Sequence, residues 1–413
     1  MQLLYHIARL LVGALFVFSG FVKGVDPLGF TYKITDYLTA FHMNFLVPAA
    51  FCIAMFFILA EFTIGLALIF RVRIKETVLF SLFFILFFTV LTLIIAFTNP
   101  VTDCGCFGDA VILSNWQTFY KNLVLLLLIV FLVWYEYRDR QPAAYTGEWL
   151  WMGVFALVML LTSAYCYRHL PLLDFRPYRV GTYIPDKMKL PEGVVPLESK
   201  MLLYYEKDGV VEEFTEDNYP WQDSTWKWKE TKTVVIKENK AEIHDFVLTD
   251  SETGEEVTDS LLYRADDVFL LVAYDLEKAK KRQLKRANEL AAWCAEHGFT
   301  FYALTSTGPA DIQRIKRELG IDYAFANADE IMLKTVIRAN PGLVLLHRGV
   351  IVDKWHGNDL PRVSDWSDQP LAEAATHRRQ MAERRIFWLY GGLALLALGL
   401  FVVYAVSFRK KKQ

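Results

Sequence analysis

Apolar residues along this chain gather in six blocks of about 20 residues, the length that a helix needs to cross a bilayer. The pattern predicts membrane-spanning helices over residues 3–22, 47–70, 77–97, 119–135, 149–167 and 386–408. The first block lacks an A-x-A-type cleavage site, so we expect an uncleaved helix there. Between roughly 170 and 385, strands alternate with amphipathic helices instead. The expected fold class is a six-span α-helical membrane bundle joined to an α/β water-soluble domain.

Basic residues in the short loops predict the orientation of these spans. They follow spans two, four and six, at Arg71, Arg73, Lys75, Arg138, Arg140 and the tail 409–412. With six spans all three groups lie on one side, which the positive-inside rule makes cytoplasmic. Both termini are then inside, and the loop near residue 104 and residues 168–385 are outside. The apolar spans predict a lipid bilayer as partner, and the net charge of −2 indicates no nucleic-acid partner.

The loop after span one has helical periodicity. Its apolar residues Ile34, Tyr37, Leu38 and Phe41 have i, i+3, i+4, i+7 spacing, which is typical of one helix face. Such a helix lies either along the outer membrane surface or against other spans, and the spacing alone fits both.

Cysteine is the residue type with the most informative placement. The five cysteines are Cys52, Cys104, Cys106, Cys166 and Cys294, and an odd number argues against a fully paired framework. All but Cys294 are predicted near the outer membrane boundary, which indicates thiol chemistry there. Cys52 and Cys166 are candidate relay or resolving thiols, although buried cysteines also serve as small apolar fillers.

The loop Asp103-Cys104-Gly105-Cys106-Phe107-Gly108-Asp109 is the main candidate site. Two thiols separated by one glycine can close a small strained ring, and strained disulfides are the labile ones. Cys104 and Cys106 are therefore candidate catalytic residues. Structural bridges to other cysteines stay open, and so does a metal site. Asp103 and Asp109 are hard oxygen donors that match thiolates poorly, so we expect no metal.

Glu61 is an acid within the second predicted span. A carboxyl group in hydrocarbon is costly, so it is a candidate for proton handling. The alternative is an acid that pins two helices together by hydrogen bonds.

These residues together resemble the DoxX/MauE group of bacterial membrane proteins over residues 1–140. The resemblance rests on motifs that contain Ser19, Gly20, Lys23, Asp26, Pro27, Glu61, Gly65, Asp103, Gly105, Phe107 and Gly108. It implies a four-helix bundle in the bacterial inner membrane; with the orientation predicted from the basic loops, residues 168–385 are then in the periplasm. DoxX members are linked to thiosulfate:quinone oxidoreductases and MauE to maturation of a disulfide-rich dehydrogenase, so it also implies redox or disulfide handling.

The outer domain resembles a thioredoxin-like domain over residues 241–365. The resemblance rests on a D-F-x-L-T-D stretch at 245–250 and on Asn340-Pro341-Gly342, where Pro341 takes the position of that fold's cis-proline. The C-x-x-C of active members is missing: residues 275–278 read Asp-Leu-Glu-Lys. Because exchange needs a thiolate at that helix start, this domain should not perform dithiol chemistry alone.

The remaining segments complete the predicted organisation. The chain divides into a membrane domain (1–140), a fifth span (141–168), an aromatic-rich β appendage (169–240), the thioredoxin-like domain (241–365), a linker (366–385), a sixth span (386–408) and a basic tail (409–413). The appendage is expected to contain a hairpin over 204–211, and its aromatic side chains indicate a small core or a protein-binding surface.

Two hypotheses for function follow. The first is a membrane-bound thiol–disulfide factor that acts on a periplasmic client or redox partner through Cys104 and Cys106. No cofactor is required, and a quinone is a candidate electron acceptor because the pair lies at the membrane surface. The alternative is a non-catalytic membrane scaffold with static bridges, whose redox-inactive outer domain binds a partner protein. The sequence alone does not decide whether the protein is an enzyme.

Overall fold

The computed structural model describes residues 1–101, 104–138, 148–190, 198–207, 210–215, 225–237, 241–365, 369–384, 386–387 and 391–392. Five of the described helices are long and apolar enough to span a membrane: α1 (Gln2–Val25), α3 (Ala50–Phe70), which a 3₁₀ turn extends back to Asn44, α4 (Ile74–Thr98), α5 (Asn115–Arg138) and α6 (Glu148–Arg168). Five predicted spans are thereby confirmed, and the protein is an integral membrane protein. The sixth predicted span and Asp103 lie largely or wholly outside the described residues.

Helices α1 and α3 pack closely because glycines lie where they cross. A Cβ atom on Gly20 would lie 2.7 Å from the backbone nitrogen of Phe62, and one on Gly65 would lie 2.6 Å from that of Val17. Only glycine fits at such distances, so these two motif residues set the approach of the two helices.

The predicted helix after span one is α2 (Pro27–Ala40), which packs against other helices and does not lie freely on the surface. Asp26 caps its start by accepting a hydrogen bond from the Gly29 backbone (2.9 Å), and Pro27 occupies the first helical position. Ile34 and Leu38 are buried in one apolar cluster with α3 and α6, which decides between the two arrangements that the spacing allowed.

The outer domain is built on a six-stranded sheet of order β4-β7-β6-β5-β8-β9. Its strands are β4 (Thr249–Asp250), β5 (Asp267–Val272), β6 (Thr300–Thr305), β7 (Ala324–Asn327), β8 (Gly342–His347) and β9 (Val350–His356). Its helices are α7 (Ile184–Lys187), α8 (Thr258–Leu262), α9 (Lys281–Glu296), α10 (Pro309–Leu319) and α11 (Glu330–Val336). Strands β5, β6 and β7 are parallel to one another, β8 runs antiparallel to β5, and β9 runs antiparallel to β8.

This topology is thioredoxin-like, as the sequence predicted. Alternate residues of the central strands face two separate cores, one under α9 and α10 and the other under α8 and α11. The peptide bond between Asn340 and Pro341 is cis, which confirms the expectation for Pro341. Strand β7 was not predicted: it has only four residues, too few for an alternating pattern to stand out.

The segment that the sequence grouped as one appendage has two parts in the structure. Residues 169–190 pack into the outer domain, where Tyr178 and Ile184 are buried in the core beside α8 and α11. The rest forms a separate antiparallel sheet of order β2-β1-β3, with strands β1 (Glu198–Lys207), β2 (Val210–Thr215) and β3 (Lys227–Lys237). The pairing of Lys207 with Val210 confirms the predicted hairpin, whose turn lies outside the described residues.

Candidate functional site

The two cysteines of the α4–α5 loop are in contact. The Sγ atoms of Cys104 and Cys106 lie 3.0 Å apart, in contact but without a disulfide bond between them, and we call this pair the dithiol. Gly105 between them adopts a left-handed conformation with φ of 62°. A Cβ atom at Gly105 would also approach Lys33 Cγ to 3.1 Å, so this position favours glycine in two ways.

The dithiol loop is held by side chains from three helices. The Tyr37 hydroxyl of α2 donates to the Cys104 carbonyl (2.5 Å), and the Ser19 hydroxyl of α1 donates to the Cys106 carbonyl (2.7 Å). At the start of the loop, Asn115 Nδ2 of α5 donates to Asn99 Oδ1 (2.8 Å). These bonds fix the backbone on either side of Gly105, so the two sulfurs stay together.

A buried ion pair lies directly beneath the loop. Lys23 Nζ donates to both carboxylate oxygens of Glu61, at 2.8 and 3.0 Å. Glu61 Oε1 also lies 3.1 Å from the Ser19 hydroxyl, which contacts Cys106. Removing either charge would leave the other uncompensated in the bundle, so the pair locks α1 to α3. Three motif residues that were chosen from sequence therefore form one network with the dithiol.

The two thiols have different acidities. The pKa of Cys106 is lowered to about 6: the hydrogen bond from the Cys104 thiol lowers it most, burial raises it, and the cations Lys121 and Lys23 lower it. The same hydrogen bond, together with burial, raises the pKa of Cys104. Cys106 is thus the thiolate at neutral pH, and the thiolate is the nucleophilic form.

The outer domain closes over this loop through one arginine. Arg338 precedes the cis-proline and is buried; its Nε lies 2.8 Å from Asp26 Oδ2 and its Nη2 lies 3.1 Å from Asp109 Oδ2. Burial alone would raise the pKa of Asp26, but Arg338 outweighs it and holds that pKa below its ordinary value. Beside it, the hydroxyls of Tyr32 and Tyr274 lie 3.2 Å apart. We call these contacts the Arg338 latch; the sequence could not reveal it, because its partners are more than 200 residues away.

An apolar cavity of about 270 Å³ opens next to the dithiol between α1, α2, α3, α4 and α5. Its walls include Phe57, Phe84 and Phe88, and its polar groups are Cys104, Cys106, Ser19, Lys23, Glu61, Lys121 and Asn122. Cys52 is exposed on α3 and Cys166 is buried on α6; neither lines this cavity.

The remaining predicted residues support the loop or lie apart from it. The Phe107 ring lies 5.4 Å from that of Phe18, with Lys121 Nζ 4.5 Å from its centre. Gly108 has a positive φ of 51°, as its loop position requires. Cys294 lies in the core of the outer domain. Among the described residues, no group of three or more His, Cys, Asp or Glu side chains could hold a metal ion.

The fold and the site together define a membrane protein whose helical bundle carries a dithiol loop capped by a thioredoxin-like domain. Residues 1–135 match the family described as Methylamine utilisation protein MauE. Residues 199–238 match a domain of unknown function, DUF8463, which corresponds to the three-stranded sheet. The comparison with curated proteins found no match.

Several solved structures are similar to the outer domain. A candidate protein disulfide isomerase from Bacteroides thetaiotaomicron is 18% identical, with 34% of this chain and 84% of that chain covered and a TM-score of 0.25. A secreted disulfide oxidoreductase from Mycobacterium tuberculosis is 14% identical, with 32% and 96% covered and a TM-score of 0.24. Peroxiredoxin Q from Xanthomonas campestris is 13% identical, with 32% and 90% covered and a TM-score of 0.24. Because these sequence identities and TM-scores are low, the thioredoxin-like fold rests on the strand order and not on these neighbours.

Proposed function

We propose that this protein is a membrane-bound thiol–disulfide oxidoreductase that acts on periplasmic proteins through Cys104 and Cys106. The observation that carries the proposal is the contact of 3.0 Å between their sulfurs, in a loop held at the end of the helical bundle. The acidity of Cys106 adds to it, because its pKa of about 6 provides a thiolate at neutral pH. The orientation follows the basic loops, which put this loop and the outer domain outside.

The proposed step is reversible thiol–disulfide exchange. The Cys106 thiolate attacks a client disulfide, forms a mixed disulfide and releases one client thiolate. The Cys104 thiol then gives its proton to the released client thiolate and attacks Cys106 Sγ, which releases the second client sulfur as a thiolate and leaves a Cys104–Cys106 disulfide. The client gains two electrons that the pair loses. In the opposite direction, the Cys104–Cys106 disulfide oxidises a client dithiol.

The outer domain serves this step by positioning the loop. No cysteine lies at its residues 275–278, so we expect that it does not perform dithiol exchange alone and that it acts through its contacts. The Arg338 latch presses the face that bears the cis-proline against α2 and the dithiol loop. Because Cys104 is only 6% exposed in this closed arrangement, a client protein reaches the pair once the latch has opened.

The electron acceptor that we propose is a quinone, bound in the cavity beside the dithiol. Aromatic rings line its walls, and the amide of Asn122 and the ammonium of Lys121 lie among them. Phe57, Phe84 and Phe88 would hold the ring, and the ammonium of Lys121 would donate to an oxygen. A bound quinone supplies a two-electron, two-proton acceptor. Glu61, paired with Lys23, is the carboxylate nearest this site that could hold a proton.

Single cysteine variants of the full-length protein test the proposed exchange in cells. In Cys104→Ser the attacking thiolate remains and the resolving thiol is lost, so reductant-sensitive adducts with client proteins should accumulate. Cys106→Ser should give fewer adducts, because burial still raises the pKa of Cys104 in that variant and leaves little thiolate. Acid quenching, alkylation and non-reducing gels measure them, with Cys294→Ser as the control. Absence of adducts from both variants, with full function in the double variant, would instead favour the scaffold.

A further inference from the structure

A second cavity of about 690 Å³ lies between the outer domain and the membrane helices α3 and α6. Its lower wall is apolar and belongs to the two helices: Phe51, Met55, Leu160, Ala164 and Tyr167. Leu160 and Tyr167 are 43% and 46% exposed, so this wall faces the surface that lipid chains would cover. The dithiol does not line this groove.

The upper wall of the groove is basic. It contains Arg168, Lys278, Lys280 and Arg338, and no Asp or Glu occurs among its described lining residues. Lys278 is paired with Asp275 and Arg338 with the latch carboxylates. Neither Arg168 nor Lys280 forms an ion pair with another described residue.

Asn358 forms hydrogen bonds with both Arg168 and Lys280 in the groove. Its Nδ2 donates to the Arg168 carbonyl (2.6 Å), and its Oδ1 accepts from Lys280 Nζ (2.9 Å). Arg168 ends α6 and Lys280 precedes α9, so a membrane helix and the outer domain each contribute one positive charge. Both charges lie at the level where helix α6 leaves its apolar stretch.

We propose that this groove binds an anionic phospholipid, with the phosphodiester headgroup at Arg168 and Lys280 and the acyl chains along α3 and α6. Two observations support this occupant together: a basic upper wall matches the negative headgroup, and an apolar lower wall matches the chains. A free phosphate ion would use only the upper wall. The lipid would fill the gap between outer domain and bundle, independently of the chemistry proposed for Cys104 and Cys106.

Lipid binding to the purified full-length protein tests this inference. The protein is delipidated in a neutral detergent and titrated with phosphatidylglycerol or phosphatidylcholine, and native mass spectrometry measures the bound lipid. The unsubstituted protein should prefer phosphatidylglycerol. Arg168→Gln with Lys280→Gln should reduce that preference by roughly ten-fold or more, since each cation near a membrane surface contributes about five-fold. Inorganic phosphate at millimolar concentration should not displace the lipid.

The control is Lys285→Gln with Arg317→Gln, which removes the same charges from exposed positions on α9 and α10 and should leave the preference unchanged. Equal binding of both lipids by the unsubstituted protein would overturn the inference, whether or not the variants fold. An equal loss in test and control variants would overturn it too, since that indicates bulk charge. Displacement by phosphate alone would show an ion site in place of a lipid site.

Discussion

At the scale of single residues, the asymmetry between the two thiols is the main chemical feature. Cys106 receives a hydrogen bond from Cys104, and its surroundings contain two cations, Lys23 and Lys121. Lys23 forms an ion pair with Glu61, whereas Lys121 lies over the Phe107 ring. Lys121 can therefore be changed without breaking the buried pair, and it separates the electrostatic effect from the structural one.

Alkylation of the reduced protein should reveal this asymmetry as a pH profile. A lowered thiol pKa means that the reactive thiolate is present above that pKa, so labelling of Cys106 should rise as pH increases through about 6. Lys121→Gln removes a favourable cation and should shift the profile to higher pH. Iodoacetamide labelling followed by mass spectrometry measures both, with Lys285→Gln as control. A profile for Cys106 near the ordinary cysteine value, or no shift in Lys121→Gln, would contradict the assignment.

The sequence predicted the pair itself and part of what surrounds it. Cys104 and Cys106 are adjacent along the chain, so their contact needed no tertiary information. The motif pointed to Ser19, Lys23 and Glu61, but not to their mutual hydrogen bonds. No sequence pattern pointed to Arg338. A single arginine three residues before a proline resembles an ordinary surface residue, and its role follows only from its contacts with Asp26 and Asp109.

At the scale of elements, the crossing of α1 and α3 positions the site. Gly20 and Gly65 let the helices approach until Ser19 and Lys23 of α1 reach Glu61 of α3. A larger side chain there would push apart the two helices that carry the ion pair and the support of the loop.

Gly65→Ala should therefore destabilise the bundle. Its methyl group would lie 2.6 Å from the backbone nitrogen of Val17, and such overpacking typically costs about 1–3 kcal/mol. Thermal unfolding in detergent should show a lower midpoint. Gly153→Ala on α6 is the matched control, because nothing lies within 4 Å of its added Cβ, and its midpoint should stay the same or rise. Equal midpoints for both variants would mean that the crossing is not close.

Element boundaries were predictable where a long periodic or apolar run existed. The five described spans, α10 and the β8–β9 hairpin follow from such runs. Periodicity showed that α2 has an apolar face but not what covers it, since lipid and protein bury such a face equally well. The placement of residues 169–190 in the outer domain depends on distant partners, among them a hydrogen bond from Ile184 N to the Gly349 carbonyl (2.9 Å).

At the scale of the whole molecule, the two halves form one closed unit through the Arg338 latch. Arg338 is buried between Asp26 and Asp109, so its removal would leave two carboxylates without their cation, and breaking a buried pair costs about 3–5 kcal/mol. The latch is also the contact between the cis-proline side of the outer domain and the dithiol loop. The same contacts therefore stabilise the closed arrangement and limit access to Cys104 and Cys106.

Arg338→Gln should loosen the closed arrangement and expose the dithiol. A bulky maleimide polymer should label Cys106 several-fold faster than in the unsubstituted protein, while a small maleimide should change less. Arg317→Gln on α10 is the control, since it removes an exposed arginine away from the latch. Unchanged labelling by the bulky reagent would mean that the latch does not limit access to the pair.

The redox state of Cys104 and Cys106 in intact cells is the direct test of whether this pair performs thiol–disulfide exchange. Acid quenching and mass-tagged thiol trapping, compared with the Cys104→Ser/Cys106→Ser double variant, report how much of the pair is oxidised. If the pair exchanges with client proteins, it should be a mixture of dithiol and disulfide that shifts when reductant is added or respiration is inhibited. A pair that stays fully oxidised, or fully reduced, under every condition would contradict exchange and leave the protein as a scaffold.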